Sequence, residues 1–133
     1  MNKLGEKSLK TLEYYEILEK LAGQAASQAA KEKCRALRPL DDHEQAELWL
    51  QQTTDAKDLM VRQGSPAFGG VRDVGEALSR AERGGMLNTR ELLDIAGLLT
   101  NVRRVQDYYK EDEEGTVIDK LFLSLHPNRF LEE

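Results

Sequence analysis

Apolar residues recur at spacings of three and four through most of the chain, which is the period of an amphipathic helix. Leu12, Tyr15, Leu18 and Ala22 share one stripe, with Tyr14, Ile17 and Leu21 beside it. That wide stripe predicts a well-buried first helix from residue 8 or 11 to about 22, stopped by Gly23. A second helix is expected over 24–37. It is rich in alanine at 25, 26, 29, 30 and 36, and it ends before Pro39, because proline disfavours helical geometry in the residue it follows. Asp42, His43, Glu44 and Gln45 read as a capping box that opens a long third helix to Gln63. Ala46, Trp49, Leu50, Thr53, Ala56, Lys57 and Met60 mark its expected inner face, with Leu48 and Leu59 off that stripe.

The next stretch carries the clearest punctuation. Gly64, Pro66, Gly69 and Gly70 make a turn-rich loop that Phe68 is expected to plug onto the core. Asp73 and Glu76 form a second capping box, opening a short helix over 73–83 buried through Val74, Ala77, Leu78 and Ala81. Gly84 and Gly85 close it, since glycine takes positive φ without a Cβ penalty. Asn88 and Glu91 form a third box before a long fifth helix over 88–109, with Leu92, Ile95, Leu99, Val102 and Val105 or Gln106 as its stripe. Leu93 and Leu99 are expected in the core, so truncating either should cost about 2–5 kcal/mol. The acids Glu111, Asp112, Glu113 and Glu114, then Gly115, break this helix, because negative charge is unfavourable at a helix C-terminus. A sixth helix starts near Thr116, carries Leu121, Phe122 and Leu125, and ends at Pro127. The expected fold is therefore all-α: a compact domain of about six helices, two of them long. Residues 1–10 are expected to be a flexible N-terminus and 11–127 the helical core. Residues 128–133 read as the first turn of a further helix, as in a piece of a longer chain.

Composition limits what such a domain can do. Aromatics make up only 6% of the 133 residues, so strands are poorly supported. The net charge of -5 argues against strong independent binding to nucleic acid, whose affinity rests on neutralising phosphates. A local basic face remains: Lys31, Lys33, Arg35 and Arg38 are the candidate contacts to a nucleic-acid backbone, with Arg103 and Arg104 as additions if the helices pack suitably. A charged solvent face is the simpler reading of the same residues. The single cysteine, Cys34, leaves no disulfide framework or multi-cysteine zinc site and points to a reducing compartment. No secretory leader and no membrane-length apolar run is present, so the expected location is cytoplasmic, without membrane association.

No catalytic, cofactor-binding or metal-binding residue can be assigned. The glycine loop at 64–70 lacks the Gly-Lys-Ser/Thr ending of a phosphate-binding loop and no strand precedes it. His43 and His126 lack a visible convergent ligand set, and no nucleophile–histidine–acid group stands out.

Several segments, in order, carry a resemblance. They are Thr11-Leu12-Glu13-Tyr14 with Ile17-Leu18 and Leu21-Ala22, then Leu37-Arg38-Pro39-Leu40, then Thr54-Asp55-Ala56. Phe68-Gly69-Gly70-Val71-Arg72-Asp73-Val74 follows, then Arg80-Ala81-Glu82-Arg83-Gly84-Gly85-Met86-Leu87 and Glu91-Leu92-Leu93. Together they resemble the start of the second bacterial MutS branch, the one bearing a C-terminal Smr nuclease domain. The resemblance implies a parent that is a homodimeric MutS-like ATPase and endonuclease, using ATP and Mg, that suppresses homologous recombination through branched DNA or acts on collided ribosomes. It implies that this chain is the N-terminal core leading to the lever and clamp helices, with the rest of the parent chain as its partner. The ATPase and nuclease motifs are absent from these residues, so the chain is expected to relay motion and not to be an enzyme alone. The alternative is an independent helical protein–protein interaction module, docking partners through its apolar stripes.

Overall fold

The computed structural model describes residues 5–110 and 115–133. Among these residues there are eight helices and no strand, so the all-α expectation holds. The acidic run at 111–114 lies outside the described residues. The chain divides into two compact units, 1–50 and 51–133.

The first unit holds α1 (Glu6–Thr11), α2 (Tyr14–Gln24) and α3 (Gln28–Ala36), together with the first turns of α4 (His43–Gln63). Residues 6–10, expected to be loose, lie in α1. The single first helix expected from the apolar stripe is instead two. Glu13 sits between them in the left-handed region (φ 55, ψ 30) and redirects the chain. Leu9, Leu18 and Ala22 are the buried residues of this unit. The stripe is narrower than expected: Leu12, Ile17 and Leu21 are exposed, and only the Leu18–Ala22 side faces inward. Gly23 is not a stop, because α2 runs through it to Gln24. α3 starts later than expected, at Gln28, after Ser27, whose hydroxyl accepts from the Ala30 N–H at 3.2 Å. That is an ordinary N-cap, satisfying an amide that has no partner within the helix.

The second unit holds the remainder of α4, then α5 (Gly75–Glu82), α6 (Thr89–Lys110), α7 (Asp119–Leu123) and α8 (Arg129–Glu132). The predicted caps are mostly realised. Asp42 accepts from the Gln45 N–H at 3.1 Å at the start of α4. Asn88 and Glu91 exchange hydrogen bonds reciprocally, at 2.9 and 3.0 Å, at the start of α6. At α5 the capping box is replaced by a shorter turn: Asp73 accepts from the Gly75 N–H at 2.9 Å, and α5 begins two residues later than expected. Gly64 ends α4 with φ 78, and Gly84 ends α5 with φ 85. The Gly84 and Gly85 amides then return to the carbonyls of Ala81 and Arg80, both at 2.9 Å.

Leu59, Val74, Ala77, Val105 and Ile118 are the buried apolar residues of this unit. The inner face of α4 is therefore set by Leu59, which the periodicity placed off the stripe, while Trp49, Leu50 and Met60 are exposed. On α6, Val105 is buried and Ile95, Leu99 and Val102 are half-buried, as the stripe predicts. Leu92 and Leu93 are not core residues: they are 53% and 64% exposed. Leu78 and Leu121 are likewise exposed. The Tyr109 and Phe122 rings stack with centroids 4.5 Å apart and planes 5° from parallel, joining α6 to α7.

Candidate functional site

The basic residues of the first unit are placed by α3. One helical turn separates Lys31 from Arg35, so they share a face, while Lys33 lies about 200° around the helix from Lys31. Lys31, Lys33, Arg35 and Arg38 therefore do not form one strip. Arg35 is held by Glu19 of α2 through its Nε at 2.8 Å and its Nη2 at 3.1 Å. This paired geometry lowers the Glu19 pKa and raises that of Arg35. Arg38 turns back on its own backbone, donating to the carbonyls of Leu37 at 2.7 Å and Arg35 at 3.3 Å. Its guanidinium lies 5.6 Å from the centre of the Tyr15 ring. The charge of these two arginines is thus partly spent inside the unit. Lys33 is exposed and Lys31 half-buried.

Arg103, the proposed addition to that face, belongs to the second unit and is committed elsewhere. Its guanidinium bonds the Glu132 carboxylate of α8, at 2.7 Å from Nη2 and at 3.1 and 3.2 Å from Nε. The Thr100 hydroxyl donates to the same carboxylate at 2.9 Å. Arg103 and Thr100 together pull the Glu132 pKa down to about 2. Sequence reasoning missed this anchor, because its partners lie 29 and 32 residues apart. The Asn128 cap on α8, which accepts from the Leu131 N–H at 3.2 Å, was its only local sign.

The anchor carries a pH expectation. The Glu132 pKa is lower in the folded chain than its ordinary value, so its contribution is full above about pH 4.5 and fades as the pH falls towards about 2. Glu132→Gln should remove that share of the acid dependence. Urea melts of both proteins at pH 7, 4 and 3 should show the stability difference shrinking on acidification. A difference independent of pH would contradict the pairing.

The glycine loop serves as a docked turn. Gly70, like Gly64, has positive φ, and the Phe68 amide returns to the Pro66 carbonyl at 2.9 Å. Tyr108 of α6 donates its hydroxyl to the Gly64 carbonyl at 2.7 Å, and the Asn101 side chain bonds the Ala67 carbonyl. Phe68 is half exposed and lines a cavity of about 300 Å³ with Leu59, Met60, Tyr108, Ile118 and Phe122. Its walls are apolar, which suits side-chain packing and offers no acid, base or nucleophile for chemistry.

The remaining candidates are dispersed. His43 pairs with Glu47 one turn on, at 3.1 Å, on the exposed side of α4. Cys34 is half-buried in α3. Among the described residues, no three His, Cys, Asp or Glu side chains gather as a metal ion would require, and no helix is long and apolar enough to cross a membrane.

No family model matches the chain. Individual relatives do match. The endonuclease MutS2 of Ruminiclostridium cellulolyticum is 35% identical over 133 residues, covering 98% of this chain and 17% of the relative. That of Acetivibrio thermocellus is 34% identical with the same coverage, and that of Lachnoclostridium phytofermentans is 40% identical over 84% of this chain and 14% of the relative. The chain thus spans about one-sixth of the length of these relatives. Over the segment that it covers, the chain is similar to the MutS2 endonucleases, as the ordered motifs from Thr11 to Leu93 imply.

Proposed function

We propose that this chain is the N-terminal helical part of a MutS2-type DNA-processing ATPase and endonuclease, and that its role is mechanical. The carrying observation is the similarity to MutS2 endonucleases along 98% of the chain. In this reading the parent is a homodimer that uses ATP and Mg to grip branched DNA or ribosomes, and these helices transmit motion to the clamp. Two features support a mechanical part. The helices are joined by directional side-chain anchors, such as Arg80 with Glu91 and Arg103 with Glu132, which hold elements in fixed register. The polar groups of these anchors are occupied with each other, which suits a rigid mount better than a reaction centre.

The basic residues contribute little in this account, because Arg35 and Arg38 are engaged within the unit. We assign a sequence-independent phosphate contact to one of the two lysines, Lys31 or Lys33, since opposite sides of α3 cannot both meet one backbone. The test is DNA retention by the full-length parent as a function of salt, comparing the native protein with Lys31→Ala/Lys33→Ala. The double variant should bind more weakly and lose about one unit of slope in log affinity against log salt per contact removed. An unchanged slope takes these lysines out of the interface. Absence of any ATP-dependent retention by the native parent, on DNA or on ribosomes, contradicts the wider reading.

A further inference from the structure

The joint between α1 and α2 is the place where local preference and tertiary packing disagree. No glycine or proline lies between Glu6 and Ala22, and the run is rich in Leu, Glu and Lys, which favour helix. Such a sequence should continue as one rod. Instead Glu13 stands at φ 55, a left-handed conformation in which its Cβ crowds the following carbonyl. Around it the hydrogen bonds shorten to three-residue spacing, Glu13 N–H to Lys10 and Glu16 N–H to Glu13, both at 3.1 Å. Straightening would put Glu13 in the right-handed region and give the Tyr14 and Tyr15 amides Lys10 and Thr11 as their regular partners.

Two contacts hold the bend. Leu9 is buried to 5% exposure although its helix has only six residues. Tyr15 also donates its hydroxyl to the Glu6 carboxylate, 2.9 Å from each oxygen. In a continuous helix, residues nine apart stand on opposite sides and about 13.5 Å apart along the axis, so this bond forms only in the bent state.

We infer that α1 is a docked flap and the Glu13 joint a two-state hinge. In one state α1 is latched onto the first unit by Leu9 and Glu6. In the other, residues 6–24 form a single straight helix, the latch is open and Leu9 is exposed. The inference stands on this joint alone and does not depend on the function proposed above.

Spin labels at Lys7→Cys and Gln24→Cys, in a Cys34→Ser background of the whole 133-residue chain, read the two states as distances. The straight helix places these positions about 25 Å apart along the axis, and the bent joint brings them closer. The native sequence should give a main short distance and a minor one near 25 Å. Glu13→Gly relieves the left-handed strain of the bent state, so the long component should fall about tenfold. Tyr15→Phe removes the latch bond and should raise it, and Leu9→Ala should raise it further. The hinge is overturned if neither latch variant populates the 25 Å distance, or if a broad distribution appears there in place of a defined one.

Discussion

Leu59→Ala should destabilise the protein by about 2–5 kcal/mol, whereas Leu93→Ala should change its stability by less than about 0.5 kcal/mol. The two leucines lie on the two long helices, and the apolar pattern alone ranks Leu93 as the core residue. Their environments reverse that order: Leu59 is 3% exposed and Leu93 is 64% exposed. Truncating Leu59 loses its transfer energy and enlarges the space it already shares with Phe68, Val105, Ile118 and Phe122. Because one side of that space is open, collapse is partly available and the cost should fall in the lower half of the range. Urea unfolding of both variants with a common m-value measures the difference. Equal losses would mean that α6 buries its other face.

Gly85→Ala should cost about 1–3 kcal/mol. A Cβ at this position would lie 2.6 Å from the Arg80 Cγ and 2.9 Å from the Arg80 carbonyl oxygen. The side-chain carbon can move, but the carbonyl cannot move without losing the 2.9 Å bond from the Gly85 amide that closes α5. Displacing Arg80 also disturbs its ion pair with Glu91, whose carboxylate caps α6 through Asn88. The neighbouring Gly84 has open space around it and needs glycine only for its φ of 85. Gly84→Ala should therefore cost only the left-handed penalty of about 1–2 kcal/mol and leave the Arg80–Glu91 pair in place. Thermal melts separate the two, and a Gly85→Ala protein as stable as the native one would refute the close approach.

These contrasts mark what the sequence alone could reveal. Helix ends were legible wherever a cap is local: Asp42, Asn88, Gly64 and Gly84 each act within a few residues of themselves, so the chain's chemistry decides them. The choice of buried face was less legible. On α4, apolar residues surround much of the helix, and it is Leu59, not Trp49 or Leu50, that is buried, beside the cavity it lines with Val105 and Ile118. The break at Glu13 was invisible for the same reason. No turn residue marks it, and the contacts that impose it, at Leu9 and between Glu6 and Tyr15, become adjacent only after the bend exists. For the four basic residues, closeness in sequence says little about a shared surface. Helical geometry rotates Lys33 away, and Glu19 and Tyr15 engage the arginines.

The same distinction governs the functional reading. Individual motifs such as Phe68-Gly69-Gly70-Val71-Arg72-Asp73-Val74 became informative through their order along the chain. Their structural role is now concrete: Phe68 and Pro66 seat the loop beside the cavity, and Asp73 opens α5.

The most direct test compares the isolated chain with a full-length protein of the proposed MutS2 type that carries it, in one assay of ATP hydrolysis, nuclease action and ATP-dependent retention on branched DNA or ribosomes. The account predicts that the parent retains its target in an ATP-dependent manner while the isolated chain neither hydrolyses ATP nor cuts. Turnover by the isolated chain, or a parent whose hold is indifferent to ATP, would contradict it.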